Sequence, residues 1–362
     1  MRPWAMKEDH MVKKPHECPM LKGNRNSAGK GRAPSASVFA CLIGMIVCLA
    51  WIASLRSPAW AGDFSLDGLT IVDQSGREVV VQEPFERIIS LYGAHTENLF
   101  FLGLDQAVIG VGRNDRYPPQ ARQKQRFSYQ DGPEKFLAAR PDLVLIRPMI
   151  SRGYPDLVQR LLQSGIEVLS LQPGTVQEMY IYWEMLGVLT GKQEQARDMI
   201  RRFQQAVEQY AALTESIENK KNVYFEAIHS RMKTFSPGAM ALFVLSAAGG
   251  VNVATDARPS RGTNIAVYGK ERILAKASAI DVYLAQKGPM NSISKAAIQE
   301  EPGFHLIKAV QEDQIYIVDE KLVSRPTFRL LRGIQRIGLI LYPDLFQTHG
   351  AAILEQVFKG AS

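Results

Sequence analysis

The amino-acid sequence predicts an α/β protein made of two βα lobes with mostly parallel sheets, joined by one long backbone helix. Short apolar runs rich in β-branched residues alternate with helical segments, which is the pattern of parallel βαβ units. This alternation is interrupted once by a long amphipathic stretch without Gly or Pro, and then it restarts. A short phrase also occurs twice, at 134–138 (Glu-Lys-Phe-Leu-Ala) and at 271–275 (Glu-Arg-Ile-Leu-Ala). The interruption and the repeat together indicate two similar lobes.

The first 61 residues differ in character from the rest of the chain. A basic stretch at 22–32 precedes an uncharged apolar run at 38–53. The run is shorter than the ~20 residues that a membrane-spanning helix needs, and Ala59 and Ala61 satisfy the small-x-small rule for signal cleavage. We therefore expect residues 1–61 to be a secretory signal that is cleaved after Ala61. An uncleaved membrane anchor is the alternative.

Composition narrows the class of protein further. All three cysteines, Cys18, Cys41 and Cys48, precede the expected cleavage site, so the mature chain would contain neither disulfides nor cysteine metal sites. The net charge of +7 lies mostly in the signal and falls to roughly +1 without it, which argues against the basic face that nucleic-acid binding needs. We expect an exported, periplasmic protein with no nucleic-acid partner.

The first lobe is assigned to residues 62–191 from its local patterns. It opens with a β-hairpin, because β-branched runs flank the turn around Gly76. Buried strands are expected where β-branched apolar residues cluster, and helices where apolar residues recur at helical spacing. The predicted strands are 69–73, 79–81, 87–91, 108–111, 142–146 and 167–171. The predicted helices are 96–104, 133–140 and 155–163.

The stretch at 192–218 is predicted to be a single helix, because its apolar residues recur every three or four positions. At 1.5 Å per residue it would be roughly 40 Å long. The second lobe is assigned to residues 219–362, including a closing helix. Its predicted strands are 223–228, 280–285 and 315–318, and its predicted helices are 239–248, 270–277, 293–300 and 327–341.

Taken in this order, the predicted strands and helices and their sequence motifs resemble those of the periplasmic solute receptors of ABC importers that carry cobalamin, iron–siderophores or haem. The resemblance covers nearly the whole mature chain and rests on an ordered set of phrases. They are Asp73…Gly76-Arg77, 87–91, 96–100 (Thr-Glu-Asn-Leu-Phe), 102–104 (Leu-Gly-Leu), 139–144 (Ala-Arg-Pro-Asp-Leu-Val), 248–252 (Ala-Gly-Gly-Val-Asn), 270–274 and the closing helix before Tyr342-Pro343. The resemblance implies a monomeric receptor without an intrinsic cofactor. It would capture an iron or cobalt chelate between its lobes and deliver it to an ABC permease and ATPase complex at the inner membrane.

The resemblance also implies that one glutamate on each lobe docks onto arginines of the permease. By position, these correspond to Glu134 and Glu271. A carboxylate and a guanidinium can form a bidentate, charge-assisted pair. The alternative is that each glutamate only stabilises a helix N-terminus, where an acid contributes roughly 0.3–1 kcal/mol.

The loops that follow the predicted strands are rich in Arg, Lys, Tyr and His. Ligands of open α/β sheets lie at the carboxyl ends of the strands, where arginine forks bind anionic groups and tyrosine rings offer broad faces. An anionic, partly aromatic chelate suits this lining, whereas the alternative is that most of these side chains are solvated. The candidate ligand-binding residues are Tyr92, His95, Arg113, Tyr117, Arg152, Tyr154, His229, Lys233, Arg258, Tyr268 and Arg325.

Two histidines, His95 and His229, fall on loops of opposite lobes, where they could be axial ligands of an iron or cobalt centre. A receptor for bare metal ions is disfavoured, because it would need about three histidines and a carboxylate. No Gly-x-Ser-x-Gly elbow or phosphate loop is present, so we expect no enzyme activity, although Glu226 and His229 could form an acid–base pair. A sensor or accessory receptor on the same fold is a further alternative.

Overall fold

Residues 69–259 and 263–359 are the part of the chain that the computed structural model describes. The predicted signal at 1–61 lies outside these residues. Within them, an α/β lobe precedes a long helix and a second lobe follows it, so the predicted fold class is confirmed. No helix in the described ranges has both the length and the apolar character that a membrane span requires.

The first lobe is built on a five-stranded sheet in which every pair of neighbouring strands is parallel. A hairpin of β1 (Leu69–Val72) and β2 (Glu78–Val81) precedes it. The strands are β3 (Ile88–Ser90), β4 (Val108–Gly112), β5 (Gln125–Phe127), β6 (Leu143–Ile146) and β7 (Glu167–Ser170). Their order across the sheet is β5-β4-β3-β6-β7. The connections after β3 and β6 therefore leave in opposite directions, which makes a crevice between these two strands.

In the described part of the first lobe, five helices accompany this sheet. They are α1 (Gly93–Phe101), α2 (Pro133–Ala139), α3 (Pro148–Gly153), α4 (Pro155–Gln163) and α5 (Val176–Leu189), with a 3₁₀ turn at Pro119–Gln123. The sequence patterns predict α2 and α4 closely but miss α5, which begins with a capping box of Thr175 and Glu178. Most residues of α5 are apolar and buried, so the one-sided periodicity of a surface helix is absent.

The long helix α6 (Gln193–Glu215) joins the lobes. It is slightly shorter than the predicted 192–218, and its 23 residues correspond to roughly 35 Å. Its buried stripe is the one that the sequence predicts, and includes Ala196, Met199, Phe203 and Tyr210. One side of α6 packs on α5.

The second lobe contains a seven-stranded mixed sheet. Its strands are β8 (Asn222–Ile228), β9 (Lys233–Phe235), β10 (Val251–Asn252), β11 (Arg258–Pro259), β12 (Ile265–Val267), β13 (Val282–Lys287) and β14 (Ile315–Asp319). The pairs β10–β8, β8–β13 and β13–β14 are parallel, whereas β8–β9, β9–β12 and β12–β11 are antiparallel. The expectation of a mostly parallel sheet therefore fits the first lobe only. After β8 the chain reverses through the tight turn His229–Arg231, which forces an antiparallel neighbour.

The helices of the second lobe cover this sheet and return to the long helix. They are α7 (Met240–Ala247), α8 (Lys270–Ala275), α9 (Lys295–Gln299), α10 (Lys308–Gln311), α11 (Glu320–Val323), α12 (Leu330–Leu341), α13 (Pro343–Leu345) and α14 (Ala351–Lys359). Short turns lie at Ala277–Ala279 and Phe304–Leu306, and a π-helical turn lies at Phe346–Gly350. The sequence patterns do not predict α14, which packs on α6.

One of the hydrophobic clusters in the described residues is shared by the two lobes. Leu99 of α1, Trp183 of α5, Phe203 of α6 and Leu331 of α12 are all fully buried in it. Hydrogen bonds also join the lobes. The carbonyl of Pro326 in the second lobe accepts from Asn98 Nδ2 at 2.9 Å and from Trp183 Nε1 at 3.3 Å, and both donors belong to the first lobe. Because close-packed interiors resist deformation, this shared core limits how far the lobes can move apart.

Candidate functional site

The crevice of the first lobe presents a tyrosine ring and a guanidinium. Tyr92 follows β3 and Arg147 follows β6, so both lie where the strand connections diverge, which is the usual ligand position in such sheets. Arg147 Cζ is 5.1 Å from the centroid of the Tyr92 ring, within range of a cation–π interaction. Both residues are partly exposed. In the described part of the chain, no carboxylate forms an ion pair with Arg147.

The phenol of Tyr92 is a neutral group at physiological pH. Burial raises its pKa to about 12, although the nearby Arg325 and Arg147 oppose this rise. A neutral phenol can donate a hydrogen bond while its ring packs on a flat ligand. Tyr92 therefore provides a donor and an aromatic face rather than a charge.

Arg325 reaches this crevice from the second lobe. Its Nη2 is 3.1 Å from Glu320 Oε1, and its Nη1 is 3.9 Å from Glu97 Oε1 in the first lobe. The guanidinium lies directly over Gly93, where a Cβ atom would be only 2.5 Å from Nη1. The absence of a side chain at Gly93 is therefore what lets the two lobes approach at this point.

A second arginine binds the lobes together beside Arg325. Arg329 donates from Nε to Glu97 Oε2 at 2.6 Å and from Nη2 to Oε1, and both side chains are nearly buried. Its guanidinium also lies 4.1 Å from the ring centroid of Tyr117. Tyr117, predicted as a ligand contact, is thus covered on one face by Arg329.

His95 does not lie in the position that the sequence predicts. It belongs to the first turn of α1 and is fully buried. Its Nε2 donates to the carbonyl of Ile146 at 3.0 Å, and its Nδ1 accepts from the Tyr182 hydroxyl at 2.7 Å. Burial lowers the pKa of His95 to about 4. With both ring nitrogens engaged, His95 has no lone pair for a metal or ligand, so we correct both assignments.

His229 and Tyr268 are also occupied within their own lobe. His229 Nδ1 is 2.8 Å from Glu226 Oε2, and its Nε2 is 3.4 Å from Glu301 Oε2. Tyr268 is buried, and its hydroxyl donates to Asp256 at 2.8 Å. Both were predicted to contact ligand. We correct these assignments as well, including the axial role of His229, because the groups that would contact a ligand are already bonded inside the second lobe.

The remaining candidates are scattered. Arg113 pairs with Asp131 at 3.0 Å on the surface, and Arg152 is exposed at the end of α3. Tyr154 packs against Tyr129, with ring centroids 4.7 Å apart, beside a surface cavity of about 600 Å³. The last two candidate ligand residues lie on the mixed sheet, Lys233 in β9 and Arg258 in the exposed strand β11. Ligand contact by these residues stays a prediction.

The two repeated glutamates have the same local geometry. Glu134 and Glu271 are each the second residue of a short helix, α2 and α8, and both are exposed. Each carboxylate folds back over the glycine two positions earlier. A Cβ atom on Gly132 would be 2.5 Å from Glu134 Oε2, and one on Gly269 would be 3.3 Å from Glu271 Oε2. Neither helix has a side-chain N-cap hydrogen bond.

The basic residue after each glutamate is paired elsewhere. Lys135 Nζ lies 2.7 Å from Asp131 Oδ2, and Arg272 Nη1 lies 3.9 Å from Asp256 Oδ2. Within residues 69–259 and 263–359, neither Glu134 nor Glu271 forms an ion pair or a hydrogen bond through its carboxylate. Two exposed carboxylates, one on each lobe, are thus available to a partner.

Comparison with known proteins identifies the family. The sequence profile of the periplasmic binding proteins matches residues 88–322. The chain belongs to this family. A Bacillus subtilis ABC transporter substrate-binding lipoprotein is 26% identical over 285 residues, which cover 77% of this chain and 87% of the relative. A vitamin B12-binding protein of Vibrio cholerae is 28% identical over 262 residues, which cover 70% and 88% of the two chains.

Solved structures agree with this periplasmic binding protein fold. A possible iron-binding, periplasmic solute-binding protein from Staphylococcus epidermidis superimposes with a TM-score of 0.63 and 24% identity, over 72% of this chain and 100% of that chain. Family membership indicates that the protein acts outside the cytoplasm and that it binds a small molecule. In the described residues of this periplasmic binding protein, no cluster of three or more His, Cys, Asp or Glu side chains could hold a metal ion.

Of the predicted ligand residues, the structure brings Tyr92 and Arg325 to the crevice of this periplasmic binding protein. Sequence reasoning did not select Arg147, although its position directly after a buried strand was a usable signal. It also missed Glu97 and Arg329. For the glutamates, the shared Gly-x-Glu spacing of 132–134 and 269–271 was a further signal of equivalence.

Proposed function

We propose that this protein is the receptor of an ABC importer and that it captures a metal chelate, namely a ferric siderophore, a corrinoid or haem. Membership of the periplasmic binding protein family supports the receptor role. The relatives support an ABC importer and a chelated metal, since one is a Bacillus subtilis ABC transporter substrate-binding lipoprotein and the other is a vitamin B12-binding protein of Vibrio cholerae. The receptor would be a monomer that delivers the chelate to a permease and ATPase complex. We expect no enzymatic turnover, no nucleic-acid partner and no resident cofactor.

The observation that carries the ligand proposal is the Tyr92–Arg147 pair at the crevice. A guanidinium that has no ion-pair partner among the described residues, and that is partly shielded from water, favours an anionic group such as a carboxylate, a phosphate or a catecholate. The tyrosine face favours a flat ring or macrocycle next to that group. Arg325 brings a second guanidinium from the opposite lobe, although Glu320 and Glu97 already balance part of its charge.

The metal would arrive with its own coordination sphere. His95 and His229, the two histidines considered as axial ligands, have both ring nitrogens engaged. A chelate whose iron or cobalt is already coordinated by the chelator does not need a histidine from the receptor. The receptor would therefore recognise the edge and charge of the chelator and would not ligate the metal directly.

Glu134 and Glu271 are proposed to dock on the permease. Their exposure, their lack of partners among the described residues and their equivalent geometry support this role. Arginines on the permease would form charge-assisted pairs with both carboxylates. Two such pairs, one per lobe, would fix the orientation of the receptor and accelerate encounter.

Export is proposed to depend on the signal at 1–61, with cleavage after Ala61. Mass spectrometry of the protein purified from its own host would give the mature N-terminus. An N-terminus at Met1, or at a lipid-modified Cys41 or Cys48, would contradict cleavage after Ala61.

The ligand proposal can be tested with the same host-purified protein. Its visible absorption spectrum distinguishes haem, corrinoid and ferric catecholate by their bands. Fluorescence titration of ligand-free protein with haemin, cyanocobalamin, a ferric catecholate and a ferric hydroxamate should give a dissociation constant at or below roughly 1 μM for at least one chelate. Failure to bind any member of this panel, together with a colourless protein from the host, would refute the proposed ligand class.

A further inference from the structure

His229 of the second lobe lies between two carboxylates. Its Nδ1 is 2.8 Å from Glu226 Oε2 and its Nε2 is 3.4 Å from Glu301 Oε2. A neutral imidazole carries a single N–H and can donate to only one of these groups, whereas the imidazolium donates to both. The arrangement is therefore complete only while His229 is protonated. In agreement, the hydrogen bond to Glu226 raises the pKa of His229 against the opposing effect of burial.

Glu226 requires the charge of His229. Its side chain is fully buried in β8, where its Oε2 accepts from the Tyr283 hydroxyl at 2.5 Å. In the described part of the chain, neither its Oε1 nor the nearby Tyr224 hydroxyl has a hydrogen-bond partner. A buried carboxylate is costly unless a positive group compensates it, and among the described residues His229, when protonated, supplies that positive group.

Glu301 extends this arrangement to the helix that carries Glu271. Its Oε1 forms an ion pair with Lys270 Nζ, while its Oε2 faces His229. Lys270 is the first residue of α8 and immediately precedes Glu271. With His229 protonated, the side chains of Glu226, His229, Glu301 and Lys270 thus alternate in charge from the buried strand β8 to the start of α8.

The backbone connects the same two places independently. The amides of Tyr268 and Gly269, just before α8, donate to the carbonyl of Met232 at 3.2 and 3.0 Å. Met232 in turn donates its own amide to the carbonyl of His229 at 2.9 Å. The turn that contains His229 is therefore connected by backbone hydrogen bonds, through Met232, to the residues that directly precede α8.

We propose that His229 and Glu301 are positioning residues that hold Glu271 in its docking orientation, and that docking weakens when His229 loses its proton. This inference rests on the proposed role of Glu271 in binding the permease. The ionisable groups around His229 in the described residues are Glu226 and Tyr224 from β8, Tyr283 from β13, Glu301 from the loop after α9, and Lys270 from α8. With His229 protonated, the two carboxylates are balanced by two cations.

The test measures binding of the full mature receptor to the permease–ATPase complex of the same host in lipid nanodiscs, by interferometry between pH 6 and 9. Glu271→Gln should weaken binding about tenfold, and Glu301→Gln and His229→Gln about three- to tenfold. Glu300→Gln is the matched control, because it makes the same change at an exposed neighbour, and it should bind as the wild type does. Wild-type affinity should fall as pH rises, and this dependence should disappear in His229→Gln.

A double-mutant cycle separates positioning from general damage. In the Glu271→Gln background, Glu301→Gln should cause no further loss, whereas an equal loss in both backgrounds would overturn the proposal. Lys270→Met removes the ion pair between Lys270 and Glu301 by changing the residue on α8, so this variant can replace Glu301→Gln if the latter fails to fold. If Glu271→Gln binds normally, the docking role of Glu271 is wrong and the positioning role falls with it. If Glu271→Gln is weakened while folded Glu301→Gln, Lys270→Met and His229→Gln bind normally, only the positioning role is wrong.

Discussion

Arg329 in the second lobe binds the carboxylate of Glu97 in the first lobe with two donors. The Nε–Oε2 distance is 2.6 Å, and Nη2 bonds the other carboxylate oxygen. The pair lies almost entirely out of contact with solvent, next to Arg325, which also faces Glu97. Together with the long helix α6, it explains how two lobes with separate sheets keep one relative arrangement.

Removing one partner of this ion pair should be strongly destabilising. Glu97→Gln would leave two arginines near a neutral group in a buried place, and we expect a loss of about 3–5 kcal/mol in the free energy of unfolding. Urea denaturation followed by circular dichroism measures it. The matched control is Glu194→Gln, which breaks an exposed pair with Arg197 and should cost less than about 0.5 kcal/mol. Equal, small losses would contradict the role assigned to Glu97.

Ligand binding should change the overall dimensions of the protein very little. The shared core, α6 and the Glu97–Arg329 pair all oppose separation of the lobes. Small-angle X-ray scattering of the mature protein with and without ligand should give radii of gyration that agree within error. A clear compaction on ligand binding would show that the lobes move more freely than these ties allow.

Arg147 should contribute to ligand affinity. Arg147→Gln removes the guanidinium beside Tyr92, and we expect roughly a tenfold increase in the dissociation constant of an anionic chelate. Arg160→Gln, an exposed arginine in α4 on the same connection between β6 and β7, is the control and should bind as the wild type does. Fluorescence titration at two salt concentrations should show a smaller salt dependence for Arg147→Gln. Unchanged affinity in this variant would remove the basis for placing an anionic group at the crevice.

Uptake should require both docking glutamates. Reversing their charge in Glu134→Arg plus Glu271→Arg would place like charges against the proposed arginines of the permease, which costs several kcal/mol, and should abolish transport of labelled ligand while ligand binding persists. The control reverses one exposed glutamate of each lobe elsewhere, in Glu184→Arg plus Glu312→Arg. Normal uptake by the first double variant would disprove the docking role.

The stability contributed by His229 should depend on pH. Its folded-state pKa is raised above the ordinary value of 6.5, chiefly by the hydrogen bond to Glu226. Its contribution is therefore fully present below pH 6.5 and is lost as pH rises through the raised value. The difference in melting temperature between wild type and His229→Gln should be largest near pH 6 and should shrink towards pH 9. His305→Gln, at an exposed histidine, should show no such trend.

The elements with a clear local period could be predicted, and those without one could not. The stripe of α6 and the amphipathic α4 follow from apolar residues at helical spacing. Helix α5 is apolar on most sides, and β9 is formed by a chain reversal after β8, so neither has a distinctive local period. Whether β9 pairs with β8 is decided by the turn at His229–Arg231 and by tertiary packing.

The candidate site likewise has features that the sequence predicts and features that only the structure reveals. The sequence by itself determined the two-lobed α/β class, the joining helix and the equivalence of Glu134 and Glu271, because these depend on periodicity and on a repeat. Only the tertiary structure decided which loop side chains face the crevice, because strand order across a sheet is not encoded in local pattern. Order across the sheet brought Tyr92 beside Arg147, and packing of α1 against the sheet buried His95.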